Sequence, residues 1–283
     1  MARARRSRIL VDKRFKALAA SFIAVMLVVI AAALYPGQED GSAKPPLETG
    51  VVQEVEAPKR ALIYDSLYRE YPNDKLLENV INILEGAGYE VEVYLGRNAT
   101  VDPLYSLGEY DIILFRAHGA FNSEEKGQFP KGAYIYTGLY LKEANRIYGG
   151  YPVKWIDEGL MAKGIIPPPG VRLSAEELSK LPRYLTLSPK FFEEKIGDLK
   201  EGSIVMFFGC YGMDDDSLAS VFLSKGAMAY IAWEGNVTWV YMDSVLPQVL
   251  EMIVQGELDS IEGSVEPDPY TGSTLRVALA AGG

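Results

Sequence analysis

The chain has 283 residues but only one cysteine and one histidine. One Cys excludes an intrachain disulfide and every multi-cysteine metal site. One His excludes the HExxH, three-histidine zinc and two-histidine iron arrangements, each of which needs at least two imidazoles. Metal catalysis is therefore not expected, and nothing in the sequence implies a cofactor. Basic residues are outnumbered as well, 28 Lys and Arg against 38 Asp and Glu, for a net charge of −10. That balance argues against a nucleic-acid partner, which requires a basic surface to displace counterions from phosphate. What the chain does have is apolar mass: 48% of its residues are hydrophobic, ample at this length for a full-sized core.

The charge is unevenly distributed. Residues 1–16 hold Arg3, Arg5, Arg6, Arg8, Lys13, Arg14 and Lys16 against Asp12 alone, a net +6, so everything after them carries −16. From Ala17 to Leu34 there is no charge and no proline, and Tyr35 closes the run before Pro36-Gly37. Eighteen helical residues span roughly 27 Å, close to one hydrocarbon core. Basic residues before the run and Glu39 and Asp40 after it orient the N-terminus toward the cytoplasm, with the remainder exported. The expectation is a basic cytoplasmic tail (1–16) and a transmembrane signal anchor (17–35). The competing reading is a secreted protein whose signal peptide is cleaved near Ala31–Ala33; the run exceeds the usual h-region of about 7–15 residues, which favours the anchor. Residues 36–59, rich in Pro, Gly and charge, read as a linker, and 60–283 as one domain.

Within that domain, short apolar runs alternate with helical patterns. Ala61–Tyr64, Tyr89–Leu95, Asp111–Phe115, Ser203–Phe208 and Ala227–Trp233 read as strands. Helical spacing covers Leu76–Leu84, Asp215–Ser224 and Val237–Val254. Strand–helix–strand order of this kind predicts a doubly wound α/β fold around a mostly parallel sheet. Residues 120–202 are less regular and read as an insertion, with strands expected at Ala133–Leu141 and Arg183–Leu187 and a break at Pro167-Pro168-Pro169.

Ligands of open parallel sheets bind at the carboxyl ends of the strands, and the lone His and lone Cys both fall there. His118 follows DIILFRA and precedes Gly119; Cys210 follows SIVMFFG and precedes Tyr211-Gly212. A thiolate that attacks a carbonyl and an imidazole that moves the proton are the minimum for acyl transfer. Taken singly, each residue also fits a structural role, Cys as a small buried hydrophobe and His as a loop residue. Their joint placement after two buried strands, each beside glycine, favours a site. The base precedes the nucleophile by 92 positions (118 to 210). Phe208 occupies the place where a G-x-C-x-G elbow needs glycine, so the elbow pattern is absent.

His first and Cys later, in DIILFRAHG (Asp111–Gly119) and SIVMFFGCYG (Ser203–Gly212), followed by KGAMAYIAWEGNV (Lys225–Val237), resembles the caspase-like superfamily of cysteine peptidases, nearest to its gingipain and CHAT branch. The Q-A-C-x-G signature of caspases is met only at Cys210 and Gly212, and the His-to-Cys spacing exceeds their usual ~50 residues. The resemblance implies a three-layer α/β/α sandwich. It implies His118 as general base and acid, Cys210 as nucleophile, and the backbone N–H groups of Gly119 and Cys210 as the oxyanion hole. It also implies a charged specificity pocket, for which Asp65, Asp214, Trp233 and Glu234 are the rim candidates; an acidic pocket would select a basic residue before the scissile bond. Asp214, Asp215 and Asp216 equally suit a helix N-terminus. The resulting expectation is a membrane-anchored, extracytoplasmic cysteine endopeptidase acting on polypeptides. The alternatives are a catalytically silent binding or scaffolding module and a surface transpeptidase. Asn98-Ala99-Thr100 and Asn236-Val237-Thr238 match the glycosylation sequon, a short and common motif.

Overall fold

The strand β1 (Lys59–Asp65) sends Ala61 and Ile63 to one face and Leu62 and Tyr64 to the other, and all four are buried, as a strand covered on both sides requires. The computed structural model describes residues 58–168 and 170–280. The tail, the anchor and most of the linker expected from the sequence lie outside the described residues. Among the described residues no helix is long and apolar enough to cross a membrane.

After β1 the chain enters α1 (Asp74–Gly86), which starts where the Asn73 side chain accepts the Leu76 N–H at 3.1 Å. Leu76, Val80 and Leu84, four apart, form its buried stripe. Strand β2 (Tyr89–Leu95) then pairs parallel with β1, in the span read from its alternation. A 3₁₀ stretch, Asp102–Glu109, crosses to β3 (Ile112–Arg116), which pairs with the other edge of β1. The connection therefore reverses direction in the sheet between β1 and β3.

Between β3 and its next sheet neighbour lies the region read as an insertion. It builds a second, antiparallel sheet from β4 (Gly119–Asn122), β5 (Gly132–Tyr140), β6 (Met161–Gly164) and β7 (Tyr184–Leu187), in the order β4-β5-β7-β6. Helices α2 (Leu141–Tyr148), α3 (Tyr151–Asp157), α4 (Ala175–Lys180) and α5 (Pro189–Lys195) connect or follow its strands. Strands near 133–141 and 183–187 were legible because their runs are apolar. Strands β4 (GAFN) and β6 (MAKG) are four residues each and carry no periodic signal.

The chain then returns to the first sheet as β8 (Ser203–Phe208), α6 (Ser217–Ser224), β9 (Ala227–Glu234), α7 (Trp239–Gln255) and β10 (Thr274–Leu279). The order is β10-β9-β8-β3-β1-β2, parallel throughout except for β10, which runs antiparallel along β9. The fold is thus α/β with a mixed, mostly parallel sheet. On one face Tyr64, Phe115, Phe207 and Tyr230 pack with Phe192 of α5 and Phe222 of α6. On the other, Ile63, Leu114, Met206 and Ile231 pack with Val80 of α1 and Val249 of α7. Each fully buried side chain of this size stabilises the fold by roughly 1.5–3 kcal/mol. Both faces being covered by packed elements, function is left to the sheet's edges and to its carboxyl rim.

Candidate active site

Strands β3 and β8 are direct neighbours, with Arg116 opposite Phe208 in the last register pair. The Ala117 N–H donates to the Phe208 carbonyl at 3.1 Å and carries the ladder one step further. His118 and Cys210 therefore each stand two residues beyond a paired strand end, side by side on the carboxyl rim. The glycines beside them make this approach possible. A Cβ on Gly119 would lie 1.9 Å from the Cys210 carbonyl oxygen, and one on Gly209 would lie 2.2 Å from the Ala117 oxygen. Each loop packs its glycine against the other's backbone, so no other residue fits either place without displacing it.

The chain turns sharply after Cys210. Tyr211 has φ 64°, the only positive value at a non-glycine among the described residues, a conformation costing roughly 1–2 kcal/mol. Its N–H donates to the Gly235 carbonyl at 2.7 Å, and Met213 N–H donates to the Trp233 carbonyl at 3.0 Å. The strained turn is held by the end of β9, as strain at functional sites commonly is by its surroundings.

The Cys210 sulfur lies 3.0 Å from Asn236 Oδ1 and 3.5 Å from the Val237 carbonyl. Burial, reinforced by the charges of Asp214 and Asp268, pushes its thiol above the usual cysteine range. The His118 side chain is 22% exposed, yet its Nε2 is buried and has no hydrogen-bond partner among the described residues. Glu70 Oε2 stands 3.9 Å from it, beyond hydrogen-bond reach. Tyr71 and Tyr136 flank the ring edge-on, with centroids 6.1 and 6.0 Å away. Burial, with the charge of Arg116 adding to it, lowers the imidazole to about 4. At neutral pH the pair is a neutral imidazole and a neutral thiol.

Two backbone donors sit at the same rim. Gly119 faces Ile135 across β4 and β5, while Tyr136 N–H bonds to the His118 carbonyl at 3.0 Å. That pattern makes Gly119 a non-hydrogen-bonded pair position, so its N–H turns away from β5. The Cys210 N–H has no acceptor among the described residues. His118 and Cys210 both line one open cavity of about 560 Å³, together with Leu67, Tyr71, Ile166, Asn236 and Trp239.

The four acidic or aromatic rim candidates from the sequence lie away from this cavity. Asp65 is 4% exposed and is engaged by both oxygens with Arg116 Nη1, at 2.9 and 3.0 Å. Arg116 in turn holds Asp243 of α7 through Nε and Nη2, each at 2.7 Å. Asp65 thus belongs to a buried ion cluster tying β1, β3 and α7 together, where Arg116 is already its partner and burial raises its carboxyl to about 6. Trp233 is 0% exposed and packs edge-on against Phe208 and Tyr241 in the core, so it walls no pocket. Asp214 accepts the Gly235 N–H, Asp215 accepts the Ser217 N–H at the head of α6, and Glu234 is exposed beside Thr274. None of Asp65, Asp214, Trp233 or Glu234 lines the cavity.

Asn236 was read only as a sequon, yet its side chain is the one nearest the sulfur. A signal was present: Asn236 stands two residues past the end of β9, as His118 and Cys210 stand two past β3 and β8, three adjacent strands of one sheet. Glu70 was also missed, because its approach to His118 depends on how the turn after β1 folds. Among the described residues no three His, Cys, Asp or Glu side chains converge to hold a metal ion. No protein-family model matches the chain, and no curated protein matches it in sequence.

Proposed function

We propose that the chain is a cysteine endopeptidase with the three-layer α/β/α architecture of the caspase-like superfamily, held at a membrane by residues 17–35 with its catalytic domain on the outer side. The observation that carries the reading is the placement of the only His and the only Cys at equivalent points of two neighbouring strands, in one cavity. An unpartnered, buried Nε2 adds to it, since native structures leave few buried polar atoms unsatisfied without a functional reason.

Because both groups are neutral at rest, the proton moves during attack. A bound peptide draws the sulfur from Asn236 toward His118, whose imidazole takes the thiol proton as Sγ attacks the carbonyl carbon. The developing oxyanion is met by the N–H groups of Gly119 and Cys210, donors already fixed in place. The tetrahedral intermediate collapses as imidazolium gives its proton to the departing amine, leaving a thioester on Cys210. Water then attacks that thioester with His118 again as base, releasing the acid and the free thiol. Glu70, whose carboxylate lies 3.9 Å from Nε2, favours the transient positive charge on the imidazolium through space. The test is cleavage of a denatured polypeptide by the full chain, with products identified by mass. Cleavage that Cys210→Ala and His118→Ala both abolish supports the reading; no cleavage, or cleavage that survives either change, opposes it and favours the binding module.

A further inference from the structure

The wall of the cavity around His118 and Cys210 is mostly apolar, with Asn236 and Thr238 as its uncharged polar members. Leu67, Tyr71, Ile166, Trp239, Val240 and Tyr270 contribute to it, and no Asp, Glu, Lys or Arg does. Three carboxylates beside its lining residues have partners of their own: Glu70 the Tyr184 hydroxyl, Asp268 the Thr238 N–H at 2.6 Å, and Asp243 the Arg116 guanidinium. A charged side chain entering this space would lose its hydration and find no partner, whereas an uncharged apolar one would gain from leaving water. Three exposed apolar side chains gather at the same mouth, Trp239 at 43%, Val240 at 55% and Tyr270 at 80%. Clustered exposure of this kind marks a binding surface more often than isolated apolar residues do. Tyr71 and Trp239 are stacked 4.7 Å apart with 21° between their planes, one ring covering the other where both line the cavity. A volume of about 560 Å³ accommodates a large aromatic or aliphatic side chain with room beside it.

We propose that the site recognises a polypeptide segment carrying a bulky, uncharged, apolar residue such as Phe or Leu immediately before the scissile bond. The assignment to that position follows from the cavity's wall, which includes His118 and Cys210 themselves. It rests on the peptidase reading for the identity of the bond, while the preference for apolar over charged side chains rests on the lining alone.

The experiment uses six peptides of the form acetyl-Ala-Ala-Ala-X-Ala-Ala-amide, with X as Phe, Leu, Arg, Lys, Asp or Asn. Equilibrium binding to the full-length Cys210→Ala chain is measured beside kcat/KM for the unaltered chain. Phe and Leu are expected to bind about tenfold or more tighter than the charged residues, with the preference lost in Trp239→Ala. Tighter binding of Arg, Lys or Asp, equal binding of all six, or binding of none overturns the inference. Cys210-dependent cleavage after a charged residue overturns it while leaving the peptidase reading intact. Tight binding of Phe and Leu peptides without cleavage by the unaltered chain upholds the inference and removes the peptidase reading.

Discussion

His118 and Cys210 occupy corresponding positions on neighbouring parallel strands, each two residues past the pair formed by Arg116 and Phe208. Their closeness in space comes from the sheet order, in which β8 lies directly against β3 although a whole antiparallel sheet separates them in the chain. Two glycines set how near the loops come, and a buried ion cluster beneath the rim fixes the strand end from which His118 projects.

Gly119→Ala places a methyl 1.9 Å from the Cys210 carbonyl oxygen, a backbone atom that cannot swing aside. The variant is expected to lose about 1–3 kcal/mol of stability and at least about a hundredfold in kcat/KM, since shifts near 1 Å at a reacting centre cost that much. Denaturant unfolding and peptide turnover measure the two effects separately.

Arg116 is the shared cationic partner of Asp65 and Asp243 in a place where all three are nearly inaccessible, at 2%, 4% and 7% exposure. Arg116→Met strands two carboxylates in the interior and is expected to cost about 3–5 kcal/mol. A loss under about 1 kcal/mol in urea unfolding would show that water reaches this cluster.

The pH dependence follows from His118. Its imidazole is held near 4, against 6.5 when unfolded, so the unfolded chain binds the extra proton first. Stability from this group is complete above pH 6.5 and is lost as pH falls toward 4, by about 3 kcal/mol in total. Asp65, raised by burial to about 6, titrates in the same window with the opposite sign, so the slope is read as the difference in unfolding free energy between the unaltered chain and His118→Asn from pH 7 to 4. The acid limb of kcat/KM should fall near 4 instead of 6.5, with the alkaline limb above the usual cysteine range.

Asn236 faces the sulfur with an uncharged oxygen at 3.0 Å. Asn236→Asp puts a negative charge there and disfavours the thiolate, so alkylation of Cys210 by iodoacetamide at pH 7 should slow about tenfold. An unchanged rate would mean that the Asn236 side chain leaves the sulfur in solution.

The parts of this arrangement that could be read from the sequence were those written in apolar runs. Strands β3 and β8 are buried on both faces and stand out as DIILF and SIVMFF, which placed His118 and Cys210 at strand ends. Strand β10 did not stand out: it is an edge strand in which only Leu275 is buried, while Arg276 points outward toward Glu262. The placement of the specificity candidates away from the cavity was hidden for a different reason. An aspartate after a strand looks the same in sequence whether it faces a ligand or a buried arginine, and Arg116 decides the matter for Asp65 from a separate strand. Trp233 likewise reads as rim or core until α7 covers it.

The most direct test of the central claim, that His118 and Cys210 act together, is the intact mass of the full chain after exposure to a peptidyl acyloxymethyl ketone bearing Phe or Leu next to the reactive group. One adduct per chain is predicted, absent in Cys210→Ala and formed at least about a hundredfold more slowly in His118→Ala. An equal rate in His118→Ala, or no adduct while iodoacetamide still labels Cys210, would contradict the account.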